Sequence, residues 1–189
     1  MGFWNTFYQY FTKIPRVSDA VEFYRVHILK GNSTLAPICE RYGFKSHIPS
    51  WKWEMFAAIL VNDTAKGGNG SDLLHHEVKS VKKGNSFEYQ YHCNSWKEKL
   101  DREYEIDHVF ITYEPGYRNV VIRKISGADL ATIFDTWRVS VKNAYSNKPR
   151  QRCRKSLSHT LVADKGTILL DIEGGKLKHF DPYYFSSTK

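Results

Sequence analysis

The chain has 189 residues, 41% of them apolar and 15% aromatic, enough to pack a core, which excludes a disordered polypeptide. Its net charge of +8 favours a polyanionic partner, nucleic acid being the commonest. The three cysteines, Cys39, Cys93 and Cys153, are far apart and odd in number, which argues against a disulfide framework and a zinc site.

In chain order, residues 3–11 alternate aromatic and polar side chains with no basic start and no small-residue cleavage site, so no signal peptide is expected. The longest apolar run, residues 55–61, is too short to span a bilayer, and a cytoplasmic location is expected. The N-terminal third reads as helices. Ser18 or Asp19 is placed to cap a segment through Val21 and Phe23. Ser33 is placed to cap residues 35–42 with Gly43 as the stop, and Ser50 to cap residues 51–61. The break Gly67-Gly68-Asn69-Gly70 ends that part.

Beyond it the apolar period becomes two. Residues 73–81, 86–92, 108–113 and 120–125 read as strands, with turns at Gly84-Asn85 and Pro115-Gly116. Ser126 can cap a helix over residues 128–141. Two late strands, 157–163 and 167–172, flank Asp164-Lys165-Gly166. With no repeat and no linker, the expectation is one α/β domain over residues 1–189: a helical part, 1–66, then a central mixed β-sheet core, 67–175.

Chemistry concentrates after the glycine break. In a strand over residues 73–81, Glu77 and Lys79 share a face while Val78 points to the core, and Asp72 can swing toward Glu77. Two carboxylates beside a lysine suit phosphodiester hydrolysis: hard oxygens hold Mg²⁺, the ion activates water, and the lysine stabilises developing charge. The alternative is an exposed strand face carrying ordinary surface charges. This Glu-x-Lys is the only Glu-x-Lys or Asp-x-Lys in the chain, and an Asp precedes it at short range. Charge is also one-sided. Residues 138–163 contain no acid but hold Arg138, Lys142, Lys148, Arg150, Arg152, Arg154 and Lys155, the clustering that a phosphate-tracking surface needs.

Asp72 with Glu77-Val78-Lys79 resembles the PD-(D/E)XK nuclease signature, with Ser71 where a proline is often seen. Over roughly residues 68–170 the order of elements is similar to PvuII-type restriction endonucleases, through Lys83-Gly84, the strand ending at His92, residues 109–113, and Asp129-Leu130 with Asp135-Thr136-Trp137. A closer resemblance is to the BisI family of modification-dependent restriction endonucleases, which cut GCNGC sites bearing several 5-methylcytosines. That family carries a (His/Arg)-small apolar-(His/Arg) motif, and Arg25-Val26-His27 stands here.

The resemblance implies a PD-(D/E)XK fold and a homodimeric, Mg²⁺-dependent type IIM endonuclease acting on double-stranded DNA. Asp72, Glu77 and Lys79 would be catalytic, with Asp72, Glu77 and Val78 as metal-ligating positions and residues 1–66 serving DNA reading and dimerisation. Glu54 would add a carboxylate, as opposed to being a partly exposed helix charge. Arg25, Val26 and His27 would read methyl groups, the alternative being a helix end with Val26 in the core. Gln90 and His92 would face the DNA groove, with Arg150, Arg152 and Arg154 on phosphates. One of His75 and His76 is expected packed, the other near the site without a catalytic role. The rival readings are a repair or structure-specific nuclease and a non-catalytic DNA-binding module.

Overall fold

The computed structural model describes residues 15–67, 70–147 and 151–187. The N-terminal third is helical, but helix α1 (Pro15–Phe23) passes through a π-helical turn (Tyr24–Lys30) directly into α2 (Gly31–Arg41). Ser18, Asp19 and Ser33 are therefore helix-interior residues, not caps, and the Ser33 hydroxyl donates back to the Lys30 carbonyl at 2.9 Å. Val17, Ala20, Val21, Tyr24 and Ile28 form one buried stripe along α1 and the π-helical turn, and its packing overrides the local preference of Ser18 and Asp19 for a helix end. The stop at Gly43 is observed. It sits at φ +73°, its N–H donates to the Glu40 carbonyl at 3.1 Å, and the Phe44 N–H donates to Cys39 at 2.8 Å. Helix α3 (Ser50–Val61) has Pro49 at its N-cap, so Ser50 is its first helical residue and not a cap.

Among the described residues seven strands follow: β1 (His76–Lys82), β2 (Phe87–His92), β3 (Asp107–Tyr113), β4 (Val120–Ser126), β5 (Arg152–Leu157), β6 (Thr167–Glu173) and β7 (Lys176–Phe180). The central sheet has the order β1-β3-β4-β6-β7. It is mixed, because β1 runs parallel to β3 and the other neighbours are antiparallel. Strands β2 and β5 form a separate antiparallel ribbon. Helix α4 (Trp96–Glu105) joins β2 to β3, α5 (Gly127–Asn147) follows β4, and α6 (His159–Lys165) and α7 (Pro182–Ser187) complete the chain. Ser126 caps α5 as expected, its Oγ accepting the Asp129 N–H at 3.1 Å. The strand expected over 157–163 is not formed. Leu157 ends β5, and Ser158 caps α6 by accepting the Leu161 N–H at 3.1 Å.

Alternation along β3 separates two cores. Val109 and Ile111 join Val78, Val120 and Ile122 under α1 and α3, while Phe110 faces Phe87, Tyr89, Leu100, Phe134 and Trp137. Parallel pairing of β1 with β3 requires a crossover, and β2 with α4 supplies it. The last turn of α4 is locked against the start of α5 by Gly127. A Cβ there would lie 2.3 Å from the Glu103 carbonyl oxygen and 2.6 Å from that of Tyr104. Among the described residues no helix is long and apolar enough to cross a membrane.

Candidate active site

Strand β1 forms the edge of the central sheet, so the backbone groups it turns away from β3 need other partners. Asp72 supplies one. Its Oδ2 accepts the Val78 N–H at 2.9 Å, and its own N–H donates to Glu77 Oε2 at 3.3 Å. This crossed pair of bonds latches the loop after the glycine break onto β1. The Ser71 hydroxyl, donating to the Leu73 carbonyl at 2.7 Å, braces the same turn. Since the N–H and C=O of a strand residue point to the same side, the Val78 carbonyl also faces this open edge.

Val78 packs in the core below α3, and Glu77 and Lys79 take the opposite face. Glu77 is completely buried, which rules out an exposed strand face. The Lys79 ammonium donates to Glu77 Oε1, lies 3.8 Å from Asp72 Oδ2, and sits 5.2 Å over the Tyr89 ring. Burial and the Glu77 charge push Asp72 up to about 6. Burial works in the same sense on Glu77, but Lys79 and Lys99 outweigh it and hold Glu77 below the usual glutamate range. Burial disfavours the Lys79 charge, yet Glu77 and Asp72 together hold its pKa above the ordinary value.

Four further residues belong to this cluster and were not anticipated: Tyr91, Lys99, Glu103 and His108. The Lys99 ammonium, carried by α4, lies 3.4 Å from Glu77 Oε1 and 4.0 Å from Glu103 Oε1. Glu103 Oε2 accepts the Tyr91 hydroxyl at 2.5 Å, and burial pushes this carboxyl up to about 7. His108, paired with Glu77 across the β1–β3 register, is held neutral by burial, which pushes it down to about 4. Its Nε2–H donates to the Glu103 carbonyl at 2.9 Å, leaving Nδ1 to accept the Tyr89 hydroxyl at 2.9 Å. The signal for α4 was present in Trp96, Leu100 and Tyr104, an apolar stripe at four-residue spacing hidden among charges.

A cleft of about 270 Å³ is lined by Ser50, Trp53, Glu54, Asp72, Val78, Lys79 and Ser80. Glu54, half-buried on α3, faces Asp72 closely enough for its charge to raise the Asp72 pKa. A larger recess of about 680 Å³ adjoins through Glu54 and Asp72 and is walled by Trp51, Met55 and Ile59. Among the described residues no group of three or more His, Cys, Asp or Glu is arranged as a metal cluster. What the cleft does offer is carboxylate and carbonyl oxygen with no thiol or imidazole in its lining. That donor set fits Mg²⁺, which binds few protein ligands and keeps several waters. The raised Asp72 pKa, due first to burial and then to the Glu77 charge, marks a place that a cation would relieve.

The other expected residues are distributed around this centre. Arg25, Val26 and His27 all lie exposed on the π-helical turn, Val26 at 42%, so Val26 is not a core residue. The turn is tied to α3, because the Lys52 ammonium donates to the His27 carbonyl at 3.0 Å. On the β2–β5 ribbon, Tyr89 and Tyr91 point inward. Gln90 and His92 point outward, paired in register with Arg154 and Arg152. Gln90 donates to Glu88 at 2.9 Å, and Arg154 lies 3.5 Å from the same carboxylate. Arg150 lies outside the described residues. His76 is buried and pairs with Asp63 at 2.7 Å, while His75 is exposed. No protein-family model matches the chain, and no curated protein matches it in sequence.

Proposed function

We propose that the chain is a Mg²⁺-dependent DNA endonuclease of the PD-(D/E)XK type, with Asp72, Glu77 and Lys79 at its centre. The observation that carries this reading is the convergence of the half-buried Asp72 and buried Glu77 carboxylates on the Lys79 ammonium, with Asp72 latched to the open edge of β1. Asp72, Glu77 and the Val78 carbonyl would hold the metal, whose bound form polarises a phosphoryl oxygen and acidifies the attacking water. Lys79, held beside Glu77, would orient the attacking water and stabilise charge developing on the phosphoryl oxygens. Glu54 adds a carboxylate from the cleft wall.

The ribbon, presenting Gln90, His92, Arg152 and Arg154 outward, is a two-stranded element of the kind that a major groove admits, and its arginines suit phosphates. Exposed Val26, between Arg25 and His27, is chemically suited to a 5-methyl group, which lies in the major groove as the thymine methyl does. One buried methyl is worth about 0.8 kcal/mol, roughly fourfold in affinity, so several methyls must add to discriminate well. This matches BisI-like cutting of multiply methylated GCNGC sites. Two copies of one active site are the simplest way to cut both strands, which makes the working form a homodimer.

The test is cleavage of one duplex carrying none, two or four 5-methylcytosines at two salt concentrations, with Mg²⁺. Cutting is expected to rise stepwise with methyl number, more steeply at high salt. Lys79→Ala is expected to slow it by about 10²–10³. Equal cutting of all three duplexes removes the methyl-reading role, and no Mg²⁺-dependent cutting of any removes the nuclease.

One observation favours a second reading, a structure-specific nuclease. Trp51 is 55% exposed and walls the recess beside Asp72, a ready stacking platform for an unpaired base. Under that reading Trp51→Ala impairs cutting of gapped or flapped DNA, whereas under the first it leaves methylated duplex cutting largely unchanged.

A further inference from the structure

Glu77 is held from two sides. Lys79 reaches it along β1, and Lys99 reaches it from α4 across the crossover. Only one of these lysines is required beside the reacting phosphate. Lys99 is also placed between two carboxylates, 3.4 Å from Glu77 Oε1 and 4.0 Å from Glu103 Oε1. That Glu103 oxygen is buried without a hydrogen-bond partner, an uncommon condition that leaves a strong acceptor unused within a short side-chain movement of an ammonium. The other oxygen of Glu103 is fixed by Tyr91, and its backbone carbonyl by His108, so Glu103 itself is immobilised. The lysine is the part that can move.

We infer that Lys99 is a positioning residue that balances the Glu77 charge in the metal-free protein and transfers to Glu103 Oε1 when a divalent cation takes Glu77. The inference rests on the metal-site reading above. The physical reason is charge balance in a desolvated place. Without a cation, the ammonium groups of Lys79 and Lys99 together offset the burial of Glu77 and keep it ionised. With a cation at Glu77, an ammonium within about 4 Å is repelled, and Glu103 offers it the nearest unsatisfied carboxylate oxygen. Glu103 thus lowers the opposition that Lys99 presents to the metal. The last turn of α4, fixed by its close approach to Gly127, holds that receiving oxygen in place.

The direct measurement is Ca²⁺ binding to the full chain by calorimetry with no DNA present, alongside Mg²⁺-dependent cutting, both at about pH 8, where Glu103 with its pKa of about 7 is mostly ionised. Lys99→Met is expected to bind Ca²⁺ about tenfold more tightly than the parent, because a competing charge is removed. Glu103→Gln is expected to bind about tenfold more weakly, because the displaced ammonium has no anionic acceptor. The double variant is expected to resemble Lys99→Met, since Glu103 acts only through Lys99. Lys99→Arg keeps the charge and is expected to stay near the parent. A residue that merely supports the fold would weaken binding when replaced, so the sign of the Lys99→Met effect decides. Lys99→Gln serves the same purpose if the Met variant does not fold. Unchanged or weaker Ca²⁺ binding in a folded Lys99 variant overturns the inference while leaving the nuclease intact. A parent chain that binds no Ca²⁺ and cuts no DNA overturns both.

Discussion

The two faces of the central sheet are built by alternate residues of the same strands and each has an apolar core, but only one of them also buries a cluster of charges. On the side of α1 and α3, β1 and β3 contribute Val78, Val109 and Ile111 to a mainly apolar core, with the His76–Asp63 pair at its margin. On the other side the same two strands contribute Glu77, Lys79 and His108, and the elements packed over them add Tyr89, Tyr91, Lys99 and Glu103. Burying apolar area is favourable by itself, whereas burying these charges is favourable only while each has a partner. The first face therefore has the character of a stabilising layer. The second holds a costly arrangement, which is the pattern expected where chemistry, and not stability, sets the residues.

Substitutions on the two faces should separate cleanly. Glu77→Gln is expected to abolish Mg²⁺-dependent cutting while the circular dichroism spectrum stays native. Ile111→Ala is expected to lower stability by about 2–5 kcal/mol in denaturant melts, with cutting per folded molecule preserved. If Ile111→Ala instead removes cutting at full stability, the division between faces is wrong.

A smaller effect sharpens the contrast through pH. Asp72 has a native pKa of about 6, above the ordinary aspartate value, so the native state binds this proton more tightly than the unfolded chain. The associated stability is complete below about pH 4 and is lost as pH rises through about 6. Asp72→Asn carries no such loss, so in metal-free buffer it is expected to gain about 1 kcal/mol on the parent between pH 4 and pH 8, after allowance for partial exposure. Parallel stability curves for the two proteins would show that neither burial nor Glu77 raises the Asp72 pKa. The gentlest test lies on the exposed ribbon. Replacing Arg152 and Arg154 by Ala is expected to reduce the slope of log affinity against log salt by about 2, on all DNA sequences equally. An unchanged slope would mean that these side chains face solvent.

By itself the sequence determined the alternation of β1 to β4, the glycine stop after α2, the cap at Ser126 and the meeting of Asp72, Glu77 and Lys79. Each of these depends on spacing within a few residues, which local backbone geometry converts directly into direction. The tertiary structure decided what local rules could not reach. It carried α1 past Ser18 and Asp19 into the π-helical turn, because the buried stripe from Val17 to Ile28 outweighed cap preference, and ran on through Ser33 into α2. It turned residues 159–165 into a helix where alternation suggested a strand. It also buried Glu77 completely, and it brought Lys99 and Glu103 over that residue by way of a parallel crossover. Charges separated by more than twenty residues meet only when strand order is known, and strand order follows from how the two cores close around the sheet.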